Sequence, residues 1–120
     1  HIIVIENVFE TTPLFCLELF EGIASNNLKL ALDTGHVNLY AHSTKVVEWI
    51  NIYGENLHHC HLHNNFRTND DHNNLSNGTL HFEEIFEAIK QQNCTPSFVL
   101  EMFTEEDIRK SVEIYNKLMS

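Results

Sequence analysis

The sequence predicts an α/β fold built on a parallel sheet, and two observations carry that prediction. Short β-branched or leucine-rich runs alternate four times with stretches whose apolar residues recur at helical spacing. Each apolar run also ends on a single side chain able to bind a metal: Glu6, Asp33, His61 and Glu101. Strands alternating with helices of 10–15 residues imply βαβ units, whose right-handed crossovers put all the helices on one face if the sheet curls.

The first strand is Ile2 to Glu6. Thr12 reads as the N-cap of the following helix, with Pro13 at its first position. Cys16, Phe20, Ile23 and Ala24 give that helix an apolar stripe, and Ser25-Asn26-Asn27 ends it. The second strand is 28–33, followed by a loop rich in Gly, His and Asn. Ser43 is the expected cap of a helix carrying Val46, Trp49, Ile50 and Tyr53, and Gly54 stops it. The third strand lies near 57–62, and a long polar loop covers about 63 to 80. Phe82, Ile85, Phe86 and Ile89 mark a helix over 81–92. The fourth strand is Phe98 to Met102. Thr104 to Asp107 resembles a capping box for a last helix lined by Ile108, Val112, Tyr115 and Met119.

Composition narrows the function classes. With 42% hydrophobic and 20% charged residues in 120, the chain is ordinary globular sequence, neither disordered nor collagenous. No stretch approaches the ~20 apolar residues of a membrane span, and no signal-peptide pattern is present. A net charge of −10, from 7 basic and 17 acidic residues, repels phosphate backbones and disfavours nucleic acid as a partner. Three widely spaced cysteines without a CxxC pair point to a reducing, cytoplasmic compartment. The 9 histidines outnumber all Lys and Arg together. Neutral imidazoles and carboxylates are the common ligands of divalent metals.

Strand parity sorts these residues into two faces. Ile2, Val4 and Glu6 share one face; Lys29, Ala31 and Asp33 continue it, as do Leu57, His59, His61 and His63, and Ser97, Val99 and Glu101. The opposite faces (Ile3/Ile5, Leu28/Leu30/Leu32, His58/Cys60/Leu62, Phe98/Leu100/Met102) are mostly apolar and suit the helices. Glu6, Asp33, His61 and Glu101 therefore meet at the C-terminal strand ends, where parallel α/β folds bind ligands. The three carboxylates would repel one another there without a cation, and together with the imidazole the set suits Mn²⁺, Mg²⁺, Co²⁺ or Zn²⁺. His36, Asp70 and His72 are candidates for substrate contact or a second metal. His59 is expected as a hydrogen-bonded core histidine, and His58, His42 and His81 in surface or capping roles.

Ile-Glu-Asn at 5–7, Leu-Asp-Thr-Gly-His at 32–36, His-Leu-His-Asn-Asn at 61–65, Asp-Asp-His at 70–72 and Val-Leu-Glu at 99–101 together resemble the C-terminal half of the sugar phosphate isomerase/epimerase family. That family has the xylose isomerase-like TIM-barrel fold and is related to apurinic endonuclease IV. The resemblance implies the last four strands, (βα)4, of a barrel with parallel strands and outer helices. It implies Glu6, Asp33, His61 and Glu101 as metal ligands, Glu6 and Glu101 as an acid/base pair, and His36 as a substrate-contacting or second-metal histidine. Asp70 and His72 match endonuclease IV ligands. One position departs: the family often reads His-Asp-Asn where this chain has His63-Asn64-Asn65, so a carboxylate is lost at Asn64.

The expected function is metal-dependent isomerisation or epimerisation of a sugar, or of a sugar phosphate or inositol, through enediolate proton transfer. A dehydratase could use much the same site. The alternatives are an endonuclease IV-like zinc phosphodiesterase on abasic DNA, and a non-catalytic fragment or subunit. An eight-stranded barrel takes about 250 residues, so residues 1–120 read as one half-barrel segment of a longer protein. Its partner would be the missing N-terminal half or a self-associated copy. The start at His1, directly on an apolar run with no Met, fits a cut through a barrel.

Overall fold

The computed structural model describes residues 1–120. Four strands, β1 (Ile3–Glu6), β2 (Leu28–Asp33), β3 (Leu57–Leu62) and β4 (Ser97–Leu100), form one parallel sheet in the order β1-β2-β3-β4. The helices are α1 (Leu14–Ile23), α2 (Thr34–Tyr40), α3 (Val46–Tyr53), α4 (Phe82–Gln91) and α5 (Glu105–Met119). This is the expected partial barrel. Leu30, Leu32, Cys60 and Leu62 point to the helix side and pack with Cys16, Val37, Trp49, Ile50, Phe82 and Phe86 in one core.

The caps follow local chemistry. Thr12 Oγ1 accepts from Leu14 N at 3.2 Å, with Pro13 already helical at φ −72°. α1 stops early, because Ala24 adopts a left-handed φ of 50°. α3 is capped differently from expectation. Glu48 Oε1 accepts from Lys45 N at 3.4 Å, while Thr44 Oγ1 accepts from the Trp49 indole at 2.9 Å. Gly54, at φ 54°, ends α3 as expected. Thr104 Oγ1 accepts from Asp107 N at 3.1 Å and starts α5.

Three expectations need correction. Residues 34–40 form the short helix α2 instead of a loop, because the Asp33 carboxylate caps it. Leu57 is buried with the helix-side core instead of joining His59 and His61. The register passes from Leu30↔Leu57 to Ala31↔His59, so His58 is an extra, bulged residue and the parity flips there. The outer apolar stripes are only half used. Leu14, Phe15, Leu19 and Ile23 of α1 stay 39–59% exposed, and on α5 Ser111 is buried while Ile108 and Val112 are not. β1 and β4 each pair on one side only, so these helices flank open edges.

The long segment after β3 is a scaffold tied by amide side chains. Asn64 is fully buried; its Nδ2 donates to Leu75 O (2.9 Å) and Leu80 O (3.1 Å). Its Oδ1 accepts from Asn65 N and Leu80 N. Its backbone forms a two-bond bridge with Asn73. A carboxylate there could not donate to the two carbonyls. Asn64→Asp is therefore expected to destabilise the protein by about 1–3 kcal/mol, read as a lower urea midpoint. An unchanged midpoint would contradict this role.

Candidate metal centre

β1 ends on Glu6, β2 on Asp33, and β3 carries His61 at its penultimate position, so the sheet itself brings these groups together. Glu101 follows β4 directly, held in line by its N–H donating to Leu62 O at 3.2 Å. His61 Nδ1 lies 3.0 Å from Glu101 Oε1, 3.4 Å from Glu6 Oε1 and 3.8 Å from Asp33 Oδ2. Ligand atoms of Glu6, Asp33 and His61 fall within 4.8 Å of one another.

Asp33 is the fully buried member. Its Oδ1 accepts from His36 N (2.9 Å), which caps α2, and from His63 Nε2 (2.7 Å). Its backbone is clamped by the Asn7 side chain: Asp33 N donates to Asn7 Oδ1 at 2.8 Å, and Asn7 Nδ2 donates to Asp33 O at 3.1 Å. Oδ2 is left buried without a hydrogen-bond partner.

A second donor set lies against the first. His36 Nδ1 contacts Asn7 O at 3.1 Å, and His36 Nε2 is 3.4 Å from Asp70 Oδ2. His72 Nε2 is 3.3 Å from the same oxygen, while His72 Nδ1 donates to Glu101 O at 2.9 Å. His72 sits at φ 53°, a conformation uncommon for a residue with a side chain. All seven candidate residues thus occupy one region. The structure adds Asn7 and His63, which the sequence reading did not single out as site residues. His63 stood on the predicted site face, and that parity was the available signal. His59 is hydrogen-bonded to Ser97 Oγ at 2.7 Å, though half-exposed rather than core. His58 is exposed as expected. Asn64 turns away from the centre, so its missing charge removes no ligand from this arrangement.

The residues fit a divalent cation. Three carboxylates and an imidazole converge, and the buried Asp33 Oδ2 makes no hydrogen bond, with His36 Nδ1 at 3.4 Å and His61 Nδ1 at 3.8 Å as its nearest imidazole nitrogens. Electrostatics agree with the crowding. Burial, countered by His61 and reinforced by the hydrogen-bonding contact and charge of Asp33, pushes the Glu6 carboxyl above its ordinary value. Burial works to raise Asp33 as well, but the hydrogen bond and charge of His63 and the His36 N–H hold it below. Burial pulls His36 down, but Asp33, the Asn7 carbonyl, Asp70 and Glu6 lift it above.

A strand set ending in carboxylates and imidazoles defines the class: part of a parallel α/β barrel with a polar centre at its C-terminal strand ends. Residues 2–118 match the xylose isomerase-like TIM barrel family, and the chain belongs to it. An uncharacterized protein of Methanocaldococcus jannaschii is 30% identical over 112 residues, covering 93% of this chain and 38% of that protein. The crystal structure of a D-tagatose 3-epimerase-like protein superposes with a TM-score of 0.83 at 28% identity, over 98% of this chain and 46% of that one. A D-psicose 3-epimerase structure shares the fold, with a TM-score of 0.78 at 19% identity, over 98% of this chain and 49% of that one. The chain thus spans less than half the length of each of these relatives.

The pH dependence of the metal-free protein follows from the shifts. The Asp33 contribution to stability is present above its unfolded value, near 3.8, and is lost as pH falls through the lowered folded value. The His36 contribution is complete below its unfolded value, near 6.5, and is lost as pH rises through the raised folded value. In EDTA, NMR titration should find Asp33 below 3.8 and His36 above 6.5. Shifts of the opposite sign would contradict the geometry.

Proposed function

We propose that the protein is a divalent-metal-dependent isomerase or epimerase of a sugar, sugar phosphate or inositol-type substrate, working by enediolate proton transfer to and from the substrate through Glu6 and Glu101. The observation that carries this is the meeting of Glu6, Asp33, His61 and Glu101 around His61 Nδ1. Membership of the family and likeness to a D-tagatose 3-epimerase-like structure support the sugar class. Glu6, Asp33, His61 and Glu101 would hold Mn²⁺, Mg²⁺, Co²⁺ or Zn²⁺, which would supply Lewis-acid polarisation of a substrate carbonyl.

Glu6 and Glu101 come from opposite edges of the sheet, β1 and the end of β4, so their carboxylates flank the space between. One takes the proton from the acidified C–H, and the other returns a proton to the neighbouring carbon or the opposite face. Asp33, buried and held by two donors on one oxygen, stays ionised and anchors the centre. His36, partly exposed beside it, is placed to orient a substrate hydroxyl. The remaining walls of the pocket come from four further strands along the open edges of β1 and β4, supplied by an N-terminal half or by a second copy of the chain.

The full-length protein, loaded with Mn²⁺ in deuterium oxide, should incorporate solvent deuterium into a ketose, and Glu6→Gln and Glu101→Gln should each lower the exchange at least ~100-fold. No exchange into any of a panel of ketoses by metal-loaded protein would refute proton transfer.

A second reading has its own observation. His36, Asp70 and His72 lie against the first set, as an endonuclease IV-like zinc phosphodiesterase would require. The −10 charge opposes DNA binding. Metal analysis separates the readings: one ion per chain supports the isomerase, and three zinc ions support the nuclease.

A further inference from the structure

We propose that His63 is a positioning residue, which locks the Asp33 carboxylate through Oδ1 so that Oδ2 alone faces the cation, and so sets the affinity of the site. The inference rests on the metal reading above and extends it to a residue outside the ligand set.

His63 and Asp33 are both fully buried, and their contact at 2.7 Å is the shortest that either side chain makes. A carboxylate accepts only, so Nε2 carries the proton and donates. The bond from His36 N also ends on Oδ1, at 2.9 Å. Two donors on one oxygen fix the rotation of the carboxylate, which a single donor would leave freer to turn. The Asn7 clamp fixes the backbone beneath it. Oδ2 is what remains, buried and without a hydrogen bond, facing the His36 and His61 imidazoles at 3.4 and 3.8 Å.

The fold makes room for this imidazole specifically. A Cβ at Gly35 would run into the His63 ring, so only glycine fits there. The other face of the ring stacks on His72, 4.0 Å between centroids and 3° from parallel. An apolar side chain could fill that slot without burying polar nitrogens. The imidazole instead leaves Nδ1 buried without a hydrogen bond, its nearest acidic atom being Asp70 Oδ1 at 3.9 Å. Packing alone does not account for such a choice; the bond to Asp33 does. Partners that hold a ligating carboxylate or imidazole typically change metal affinity 10–100-fold when removed.

The test uses the full chain and Mn²⁺ as the probe, with free Mn²⁺ counted by electron paramagnetic resonance. Urea midpoints in EDTA establish that each variant is folded. His63→Phe keeps a ring against His72 but removes the donor, and should weaken Mn²⁺ binding about 10–100-fold. His63→Gln restores an N–H at similar reach and should recover most of that loss. Should His63→Phe not fold, His63→Asn, whose amide is too short to reach Oδ1, replaces it. Wild-type affinity in the donor-less variant would overturn the inference. So would a Gln variant as weak as the Phe variant, since ring packing alone would then explain the loss. A wild-type chain that binds no Mn²⁺ would instead overturn the metal reading, and this inference with it.

Discussion

A carboxylate buried at the end of a strand needs donors for its oxygens or a cation beside it. Asp33 has donors for one oxygen only. Through Oδ1 it starts α2, orients His36 by that residue's own N–H, and holds His63. His63 in turn requires a glycine at position 35 and supports the ring of His72. His72 reaches Glu101, and His36 reaches Asp70. Asn7, one residue after Glu6, closes the circle by clamping the Asp33 backbone. Remove the charge of Asp33 and the start of α2 and the hold on His63 lose the contacts that fix them.

The segment after β3 keeps the centre in place chiefly through amide side chains, with Leu75 as its buried apolar anchor. Asn64 uses its full amide capacity on the backbone of residues 65, 75 and 80. Asn65 donates to Gly35 O and accepts from Asn38 and Arg67 N, joining the segment to α2. Asn74 donates to Asp107 at the start of α5. Asp70 and His72 ride on this frame. The outer parts of the chain contrast with it: β1 and β4 keep an unpaired edge each, beside apolar side chains such as Ile3 and Phe103. An edge of that kind is normally covered.

The strand and helix rhythm was legible because β-branched runs and helical spacing are local signals. Parity then placed Glu6, Asp33, His61 and Glu101 on one face, and the structure puts them at contact distance. Parity failed at Leu57, where the bulge at His58 resets the faces; a bulge depends on pairing with β2 and leaves no local mark. α2 was missed because seven residues containing a glycine are too few to show helical periodicity. Its signal was the Asp33-to-His36 spacing, which reads as a metal motif and is also an N-cap. The abundance of asparagine looked like loop chemistry. Only the three-dimensional path shows that Asn64 and Asn65 are buried, and why amides rather than carboxylates stand there. On the outer helices, apolar stripes at Ile23, Ile108 and Val112 were visible in the sequence, but the open sheet edges that leave them exposed were not.

The account depends on Asp33 Oδ2 being kept free for a cation. The direct measurement is anomalous X-ray scattering from crystals of the full-length protein grown with Mn²⁺. The account predicts a peak within about 2.0–2.3 Å of Asp33 Oδ2, with Glu6, His61 and Glu101 completing the shell and His63 still bonded to Oδ1. A fully occupied ion bound elsewhere, or an Asp33 carboxylate satisfied on both oxygens by protein donors with no ion beside it, would contradict it.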